Sequence, residues 1–298
     1  MERDRALALG FFDGVHLGHA ALLNTAFRRA QGQNLSAAAI SFDTHPDTLV
    51  SGAEVPLLGT LDERAELMRE LCAIEEVLPV HFDRQMMTMP WDAFVQDYLV
   101  RTLRARHLVC GQDFRFGDRG LGDAERLRSL CARLGLGCDV IPQVRLDGGA
   151  VSSTRIRRLL LAGDCREAVR LLGHPHRVTG TVLHGRGCGR TLGFPTANLA
   201  FRPGVLIPAF GVYRAQVRAR GGVFDACVNI GVHPTVGALA SPVLESWLAG
   251  FDGTLYGEEI CVELLDRLRP EMTFPSAEAL RAQIARDREA VLRARVQA

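Results

Sequence analysis

Lysine is absent from this 298-residue sequence, so all 35 of its basic residues are arginine. A Walker A loop needs a lysine on the terminal phosphates of its nucleotide, and a Schiff-base mechanism needs a lysine amine. The sequence therefore excludes both kinds of site. Any phosphate chemistry has to use arginine, histidine, backbone N–H groups and metal ions.

Paired cysteines and long apolar runs are also missing. The eight cysteines are scattered and form no C-x-x-C pair, which argues against a zinc framework or a small disulfide scaffold. No apolar run approaches the ~20 residues that cross a bilayer, and the first residues make a poor signal peptide. The formal net charge is +1, so no global field attracts nucleic acid or a membrane surface. We expect a cytoplasmic enzyme with reduced thiols and neither of these partners.

Apolar strand-like runs alternate with amphipathic helices over the first half of the sequence. A helix face is clearest over residues 91–99, where apolar side chains recur at i, i+3, i+4, i+7 and i+8, and residues 60–63 resemble a capping box. This alternation predicts a Rossmann-like α/β domain with a parallel sheet and helices on both faces. The predicted strands cover residues 6–10, 37–42, 77–82, 108–111 and 138–142.

The pattern changes near residue 174, after which glycine, proline and short alternating segments dominate. Residues 213–218 alternate apolar and polar side chains, which is typical of a half-buried antiparallel strand. Several such strands separated by turns predict a small barrel, and a final helix begins near residue 277. The further predicted strands cover residues 178–183, 223–230 and 260–265, and the inner side of the helix carries Leu280, Ile284 and Val291.

These patterns give three segments. We predict a first domain over residues 1–162, a connecting helix over residues 163–173 and a second domain over residues 174–298. No internal repeat or low-complexity tract interrupts them.

The string GFFDGVHLGH, residues 10–19, follows the first predicted strand and opens a helix. The start of a helix presents free N–H groups and a positive dipole end to phosphate. His16 and His19 are three residues apart and face the same side, where their imidazoles can donate to the oxygens of an α-phosphate. Taken alone, the string is also compatible with a tight turn, whereas a metal site lacks a third ligand. We assign both histidines to catalysis, and Gly10, Phe12, Gly14 and Gly18 to nucleotide binding.

Two further loops fall where ligands bind in such sheets. Residues 151–157, VSSTRIR, can cap a helix, but their hydroxyl and N–H groups can equally hold a nucleotide phosphate. Residues 111–117, GQDFRFG, follow the fourth predicted strand, and this aromatic and acidic loop is suited to a flavin or an adenosine edge as well as to an ordinary turn. The nucleotide-binding candidates in the first loop are Ser152, Ser153, Thr154 and Arg157.

The strings at residues 10–19, 111–117 and 151–157 together resemble the nucleotidyltransferase module of prokaryotic bifunctional FAD synthetases. Members of this family are both riboflavin kinases and FMN adenylyltransferases. SFDTHP at residues 41–46 and the stretch 60–98 are similar to the same family. The resemblance implies that the first domain adenylylates FMN with ATP, giving FAD and pyrophosphate, and that the two histidines stabilise the transition state. The implied flavin-binding residues are Asp113, Phe114, Phe116 and, in the second half, Arg269.

A second string, GRGCGRTLGFPTAN at residues 185–198, indicates another phosphate site. Closely spaced glycines form either a flexible turn or a loop whose N–H groups wrap phosphates. Thr196 and Asn198 are two apart and point to one face of an extended segment, where neutral oxygens suit Mg²⁺. Cys188 lies inside the loop between two arginines, and its role is left open. The nucleotide-binding candidates here are Gly185, Gly187, Gly189 and Arg190.

This second half resembles the riboflavin kinase family, most specifically in the string GFPTAN. The resemblance implies a six-stranded antiparallel barrel that phosphorylates riboflavin to FMN. It also implies that Thr196 and Asn198 bind Mg²⁺ and the phosphates of ATP, and that Glu245 takes the proton from the ribityl 5′-hydroxyl. General-base assistance of this kind contributes about 10²–10⁴ in rate.

Three other functions stay open at this point. One domain alone can be active; the chain can be a flavin-responsive binding protein; or the histidine string can belong to a different cytidylyl- or adenylyltransferase. The presence of two phosphate-transfer constellations argues against a pure binder, and the kinase half ties the substrate to a flavin. The oligomeric state, a homo-oligomer included, is not decided by the sequence.

Overall fold

A computed structural model describes residues 3–45, 48, 52, 54–184, 196–233 and 241–296. The chain divides into two compact units, Met1–Ser153 and Thr154–Ala298. This division falls earlier than the predicted limit at residue 162. The domain limits proposed from the sequence stay a prediction.

The first unit contains a sheet of five parallel strands in the order β3-β2-β1-β4-β7. Strand β1 lies in the middle, with β2 on one side and β4 on the other. The chain runs outward from β1 to β3 and then crosses back to β4, so the point where the strand order reverses lies between β1 and β4. Ligands bind at the carboxyl ends of the strands beside such a switch point. The strands are β1 (Arg5–Leu9), β2 (Ser36–Phe42), β3 (Glu76–Val80), β4 (Ala105–Gly111) and β7 (Gly137–Ile141), which confirms the predicted α/β domain.

Helices cover both faces of this sheet. Leu7 and Leu9 of β1 belong to one apolar cluster, whereas Ala6 and Ala8 belong to another, because successive side chains of a strand point to opposite faces. The described part of this unit also contains two short hairpins, β5 (Arg115–Phe116) with β6 (Gly122–Asp123) and β8 (Arg145–Leu146) with β9 (Gly149–Ala150). Its helices are α1 (Leu17–Gln33), α2 (Leu61–Cys72), α3 (Arg84–Met87), α4 (Trp91–Ala93) and α5 (Ala124–Leu134).

Two local predictions have different outcomes. The capping box at the start of α2 is confirmed, with the Thr60 hydroxyl accepting from the Glu63 N–H at 3.2 Å and the Glu63 carboxylate accepting from the Thr60 N–H at 2.7 Å. By contrast, α4 leads directly into a π-helix, Phe94–Thr102, rather than into an ordinary α-helix. Its buried Phe94, Val95 and Leu99 share one face in either helix type, so the apolar spacing could not separate the two.

The second unit contains a closed barrel of six antiparallel strands in the order β10-β11-β14-β13-β12-β15. Alternate residues fill its interior, and those buried inside include Ala215, Val217, Val228 and Val262. The predicted barrel is confirmed. Its strands are β10 (His176–Leu183), β11 (Ala197–Ala200), β12 (Gly211–Ala219), β13 (Gly222–His233), β14 (Ser241–Leu248) and β15 (Glu259–Pro270).

In the part of the chain that the structure describes, the helices beside the barrel are α6 (Ser153–Ala162), α7 (Cys165–Leu172) and α8 (Ala277–Val296). Helix α7 occupies the position of the predicted connecting helix, and α6 precedes it. On α8, Val291 is buried and Leu280 and Ile284 are half-buried, as the sequence predicted. Within the described residues, no helix combines the length and the apolarity needed to span a bilayer.

Candidate active sites

A tight loop joins β1 to α1 and contains the predicted histidine string. Gly14 takes φ 77°, which favours glycine, and Phe12 and Val15 also have positive φ, so the backbone turns sharply here. His16 ends the loop as the N-cap of α1: its Nδ1 accepts a hydrogen bond from the N–H of His19 at 3.2 Å. The free end of the helix therefore opens at the carboxyl edge of the central strand.

The two histidines of this loop stack on each other. Their ring centroids are 3.6 Å apart at an interplanar angle of 13°, and Phe12 meets the His19 ring edge-on at 5.3 Å. Burial lowers the pKa of His19 well below its usual range, and the nearby charges of His16 and Arg64 lower it further. His19 is therefore neutral at pH 7. The Nδ1 of His16 accepts the hydrogen bond from the His19 N–H, so Nε2 is the ring nitrogen of His16 that carries a proton and can donate to a ligand.

Phe12 is a core residue. Its ring is fully buried within one of the apolar clusters of the first unit. A bound nucleotide can reach only the main chain of this residue, so nucleotide binding by Phe12 stays a prediction for its backbone alone. Sequence reasoning could not see this, because an aromatic residue in a ligand loop and one in a core look alike.

The serine segment lies beside the histidine loop, as expected. The Ser153 hydroxyl donates to the carbonyl oxygen of Asp13 at 2.9 Å, and a Cβ at Gly18 would lie 3.7 Å from the Val151 carbonyl oxygen. The loop is held from another side by the Asp13 carboxylate, which accepts from the Leu58 N–H at 2.9 and 3.1 Å. Ser152 is half-buried in the same segment. Thr154 and Arg157 belong to the second unit, and their part in this site stays a prediction.

The aromatic loop after β4 is divided between core and surface. Phe116 is buried and packs against Phe114, with centroids 5.3 Å apart, and against Phe94, with centroids 5.5 Å apart. Asp113 is exposed and Phe114 half-buried, so these two side chains are the ones a ligand could touch. Flavin binding by all three stays a prediction, and for the Phe116 ring it would require displacement from the core.

Sequence reasoning missed Arg64 on helix α2, whose side chain is only 1% exposed. Its guanidinium donates to the Phe11 carbonyl oxygen at 2.7 Å, the Ser41 hydroxyl at 2.8 Å and the Phe42 carbonyl oxygen at 3.0 Å. It also lies over the Phe11 ring, 4.3 Å from the centroid. The only sequence signal was an arginine on the inner face of an amphipathic helix, and that signal does not distinguish burial from a surface position.

In the second unit, three polar residues form a row across neighbouring strands. Glu245 of β14 lies directly opposite Asn198 of β11 on one side and Asn229 of β13 on the other. Cross-strand partners like these have Cβ atoms about 4.5–5.5 Å apart and share one face. Their strand neighbours Leu199 and Leu244 are buried, so the row lies on the outside of the barrel.

Thr196 immediately precedes β11 and lies beside this row. The amide nitrogen of Asn198 donates to the Thr196 carbonyl oxygen at 3.4 Å. The structure therefore brings Thr196, Asn198 and Glu245 together, as the sequence predicted. The predicted loop residues Gly185, Gly187, Gly189 and Arg190, together with Cys188, lie outside the described residues.

A cavity of about 410 Å³ opens at one end of the barrel next to Thr196. Its walls combine apolar and aromatic side chains with polar ones, Asp252 and Thr254 among them, and the ring of Tyr256 stacks on His184 with centroids 3.9 Å apart. Ser246 contributes a fully buried hydroxyl that has no hydrogen-bond partner within the described part of the chain. The other residues around the cavity include Val182, Ala197, Leu248, Phe251 and Leu255.

Arg269, a predicted flavin ligand, is engaged elsewhere. Its Nε and Nη2 atoms donate to the Asp287 carboxylate at 3.0 and 2.8 Å, and its Nη1 donates to the Pro270 carbonyl oxygen at 3.1 Å. A flavin would have to compete with these bonds, so this role stays a prediction that the contacts do not favour. The described residues bring together no cluster of three or more His, Cys, Asp or Glu side chains that could hold a metal ion.

Comparison with known proteins assigns both halves of the chain. Residues 1–155 match the family model described as FAD synthetase, and residues 172–294 match the one described as riboflavin kinase. The first match spans nearly the same residues as the first unit.

Full-length relatives agree with this division. The bifunctional riboflavin kinase/FMN adenylyltransferase of Listeria monocytogenes serovar 1/2a is 35% identical over 288 residues, 96% of this chain and 91% of the relative. The protein with the same description from Escherichia coli K12 is 38% identical over 285 residues, 94% and 90% of the two chains.

A crystal structure described as a macrolide-efflux protein from Streptococcus pneumoniae has a TM-score of 0.86 and 29% identity, and the match covers 98% of this chain and 94% of that one. At this similarity the two chains share one fold. With both halves matched by family models and full-length relatives at 35% and 38% identity, the chain belongs to the bifunctional riboflavin kinase/FMN adenylyltransferase family.

Proposed function

We propose that the two units divide the two reactions of the family between them. As a member of this family, the chain phosphorylates riboflavin to FMN with ATP and adenylylates FMN to FAD with release of pyrophosphate. The division is supported by one phosphate-directed site in each unit. The first unit has stacked histidines at the start of α1, and the second has a row of carboxylate and amide groups on the barrel.

In the second unit, Glu245 acts as the general base. Its carboxylate removes the proton of the ribityl 5′-hydroxyl as that oxygen attacks the γ-phosphorus of ATP, and ADP leaves. Asn198 and Asn229 flank Glu245 on the neighbouring strands, so their amides can orient the carboxylate. Because phosphoryl transfer asks little covalent chemistry of the protein, this positioning is its main contribution.

Thr196 and Asn198 fit a magnesium ion that arrives with ATP. The hydroxyl and amide oxygens are hard donors, and Mg²⁺ binds few protein oxygens while phosphates and water complete its shell. The amide nitrogen of Asn198 is turned to the Thr196 carbonyl oxygen, which leaves its amide oxygen as the ligand atom. When bound, the ion neutralises charge on the β- and γ-phosphates.

The cavity at the end of the barrel suits the rest of this ATP. Purines bind between apolar and aromatic walls with a few polar contacts, and this cavity has such walls together with the Ser246 hydroxyl. Thr196 lines it as well. A base held here therefore places the phosphates toward the Thr196–Asn198 end.

In the first unit, His16 and His19 stabilise adenylyl transfer. A phosphate oxygen of FMN attacks the α-phosphorus of a second ATP, the bond from that phosphorus to the bridging oxygen breaks, and pyrophosphate leaves. The Nε2–H of His16 and an N–H of neutral His19 donate to the α-phosphate oxygens as charge develops. The start of α1 adds the positive end of its dipole.

The partners of the enzyme and the compartment in which it acts are part of the same proposal. Riboflavin, FMN and ATP are the partners, and neither nucleic acid nor a membrane has a role in the proposal. The seven cysteines described are all free thiols, which supports a reducing compartment such as the cytoplasm.

Chromatographic separation of FMN and FAD tests the division. Wild-type protein incubated with riboflavin, ATP and Mg²⁺ should form FMN and then FAD. His19→Ala should lose FAD formation and keep FMN formation, whereas Glu245→Gln should lose FMN formation from riboflavin and still convert supplied FMN to FAD. Loss of both activities in either variant would contradict two independent sites.

Two exposed positions supply controls. His81→Ala removes a histidine of the first unit that pairs with Asp43 on the surface, and Glu259→Gln changes a carboxylate of β15 that pairs with Arg202. Both variants should retain wild-type rates for both products. Wild-type FMN formation in Glu245→Gln would remove this residue from the reaction.

A further inference from the structure

Among the described residues, the buried guanidinium of Arg64 is bound only by neutral hydrogen-bond acceptors. Its side chain is 1% exposed, yet no carboxylate within the described residues lies at ion-pair distance from it. Three of its bonds go to the carbonyl oxygens of Phe11 and Phe42 and to the Ser41 hydroxyl, and a longer one at 3.4 Å goes to the Thr60 carbonyl oxygen. Burying a charge without a paired charge is unfavourable, so a purely structural role would be served by a neutral side chain.

This charge lies next to the proposed adenylyltransferase site, at the strand ends that carry the histidine loop. Phe11 follows β1, and Phe42 ends β2, so the guanidinium fastens the carboxyl ends of two neighbouring strands. The Ser41 hydroxyl closes the network by donating to the same Phe11 carbonyl oxygen at 3.0 Å. Phe11 leads directly into the turn that carries His16 and His19, and the fixed cation therefore lies behind the loop where phosphate binds.

We propose that Arg64 is a positioning residue for adenylyl transfer, which holds the histidine loop on the strand ends and supplies a fixed positive charge behind the phosphates. The inference rests on the proposed function of the first unit. A charge that is already desolvated and hydrogen-bonded needs no reorganisation when the negative charge of the transition state develops. The chain contains no lysine that could supply such a charge instead.

The charged groups around Arg64 and His19 decide how the pH profile responds. Asp13 and Asp43 act on Arg64 from a distance, and each has its own partners: the Leu58 N–H for Asp13, and His81 with the Phe82 N–H for Asp43. The pKa of His19 is lowered most by the burial of its ring, and next by the electrostatic effects of His16 and Arg64. Removal of the Arg64 charge therefore raises the pKa of His19.

Arg64→Gln and Arg64→Lys separate the two roles of the residue. Arg64→Gln loses both the charge and the fork of donors. We expect kcat for FAD formation from FMN to fall by about 100-fold, as for a misplaced catalytic group, with a higher KM for ATP and an acid limb of the pH–rate profile that moves to higher pH. Arg64→Lys keeps the charge but loses the planar set of guanidinium donors. Its rate for FAD formation should therefore fall, while the acid limb of the pH–rate profile stays at the wild-type pH.

Matched controls separate these effects from misfolding. Arg69→Gln makes the same exchange at an exposed site on the same helix and should leave the rate and the profile unchanged. Ser41→Ala removes two hydrogen bonds, the one from Arg64 and the one to the Phe11 carbonyl oxygen, but no charge. It should therefore lower the rate modestly without moving the acid limb. FMN formation from riboflavin in the second unit reports the amount of intact enzyme in each variant.

Two results would overturn the proposal. In one, folded Arg64→Gln and Arg64→Lys unfold more easily but keep the wild-type rate, KM and pH profile for FAD formation, which would make the residue structural only. In the other, Arg64→Gln fails to fold while folded Arg64→Lys turns over at the wild-type rate. If wild-type protein makes no FAD from FMN, the proposed function itself fails, and that outcome is recognised before any variant is made.

Discussion

Arg269 on β15 and Asp287 on α8 form an ion pair that ties the last helix to the barrel. The Nε and Nη2 atoms of Arg269 lie 3.0 and 2.8 Å from Oδ2 of Asp287, and the two side chains are only 15% and 8% exposed. Gln283 of the same helix adds a hydrogen bond to Oδ1 at 2.8 Å. The pair is thus a largely desolvated link rather than a surface contact.

Asp287→Ala should destabilise the second unit by about 3 kcal/mol, because it leaves the Arg269 cation buried without its partner. The free energy of unfolding is measured by urea titration of a Trp91→Phe background, in which Trp247 is the single tryptophan. The Arg288 guanidinium of α8 lies 3.8 Å from the Trp247 ring centroid, so this fluorescence reports directly on the attachment of the helix.

Glu289→Ala is the matched control on the same helix. It breaks the pair with Arg293, whose side chain is 75% exposed and that of Glu289 60% exposed, and exposed pairs contribute little. The expected change is below about 0.5 kcal/mol. Equal effects of the two substitutions would show that the buried pair adds nothing beyond a surface contact.

Gly18→Ala should impair FAD formation. A Cβ at this position would lie 3.1 Å from both Cε1 and Nδ1 of the His16 ring, closer than ordinary contact, so the ring must shift from its place against His19. We expect kcat for FAD formation to fall by at least about tenfold, with FMN formation unchanged. Gly32→Ala on the same helix meets no atom within 4 Å; it should keep both activities and add up to about 1 kcal/mol of stability. An unchanged rate in Gly18→Ala would mean that the ring position does not matter.

The second unit should lose stability between pH 6.5 and pH 4. Burial, with His174 adding to it, lowers the pKa of His176 from 6.5 to about 4. As the pH falls, the unfolded chain takes up this proton first, so unfolding becomes easier by up to about 3 kcal/mol. His176→Gln should flatten this part of the curve, measured by urea unfolding against pH, whereas His81→Gln in the first unit should leave it unchanged. Parallel curves for wild type and His176→Gln would exclude His176 as the cause.

The sequence alone was sufficient for most of the fold because its signals are local. Strand and helix periods, the Thr60 capping box and the alternation in residues 213–218 identify both architectures. The strand pairing of Asn198 with Glu245 also follows the prediction that both belong to one site. The comparisons with known proteins then confirmed the family.

The features that escaped prediction all depend on contacts between distant residues. Arg64 and Phe12 are buried by strands and loops that come from elsewhere in the chain, and a single segment does not record that packing. Arg269 looked like a free ligand because its partner Asp287 lies 18 residues away on another element. Burial and pairing of polar side chains are therefore the properties that the structure adds.

Ser246→Ala should weaken ATP binding in the kinase reaction alone. Ser246 lines the cavity beside Thr196, and its buried hydroxyl lacks a partner among the described residues. A nucleotide that reaches this hydroxyl would supply the missing hydrogen bond. A net bond of this kind predicts a rise in the KM for ATP of about threefold to tenfold during FMN formation. Ser246→Thr, which keeps the hydroxyl, should restore the KM, and FAD formation from FMN should not change, because its ATP binds in the other unit. If Ser246→Ala leaves the KM unaltered, the nucleotide does not reach this part of the cavity.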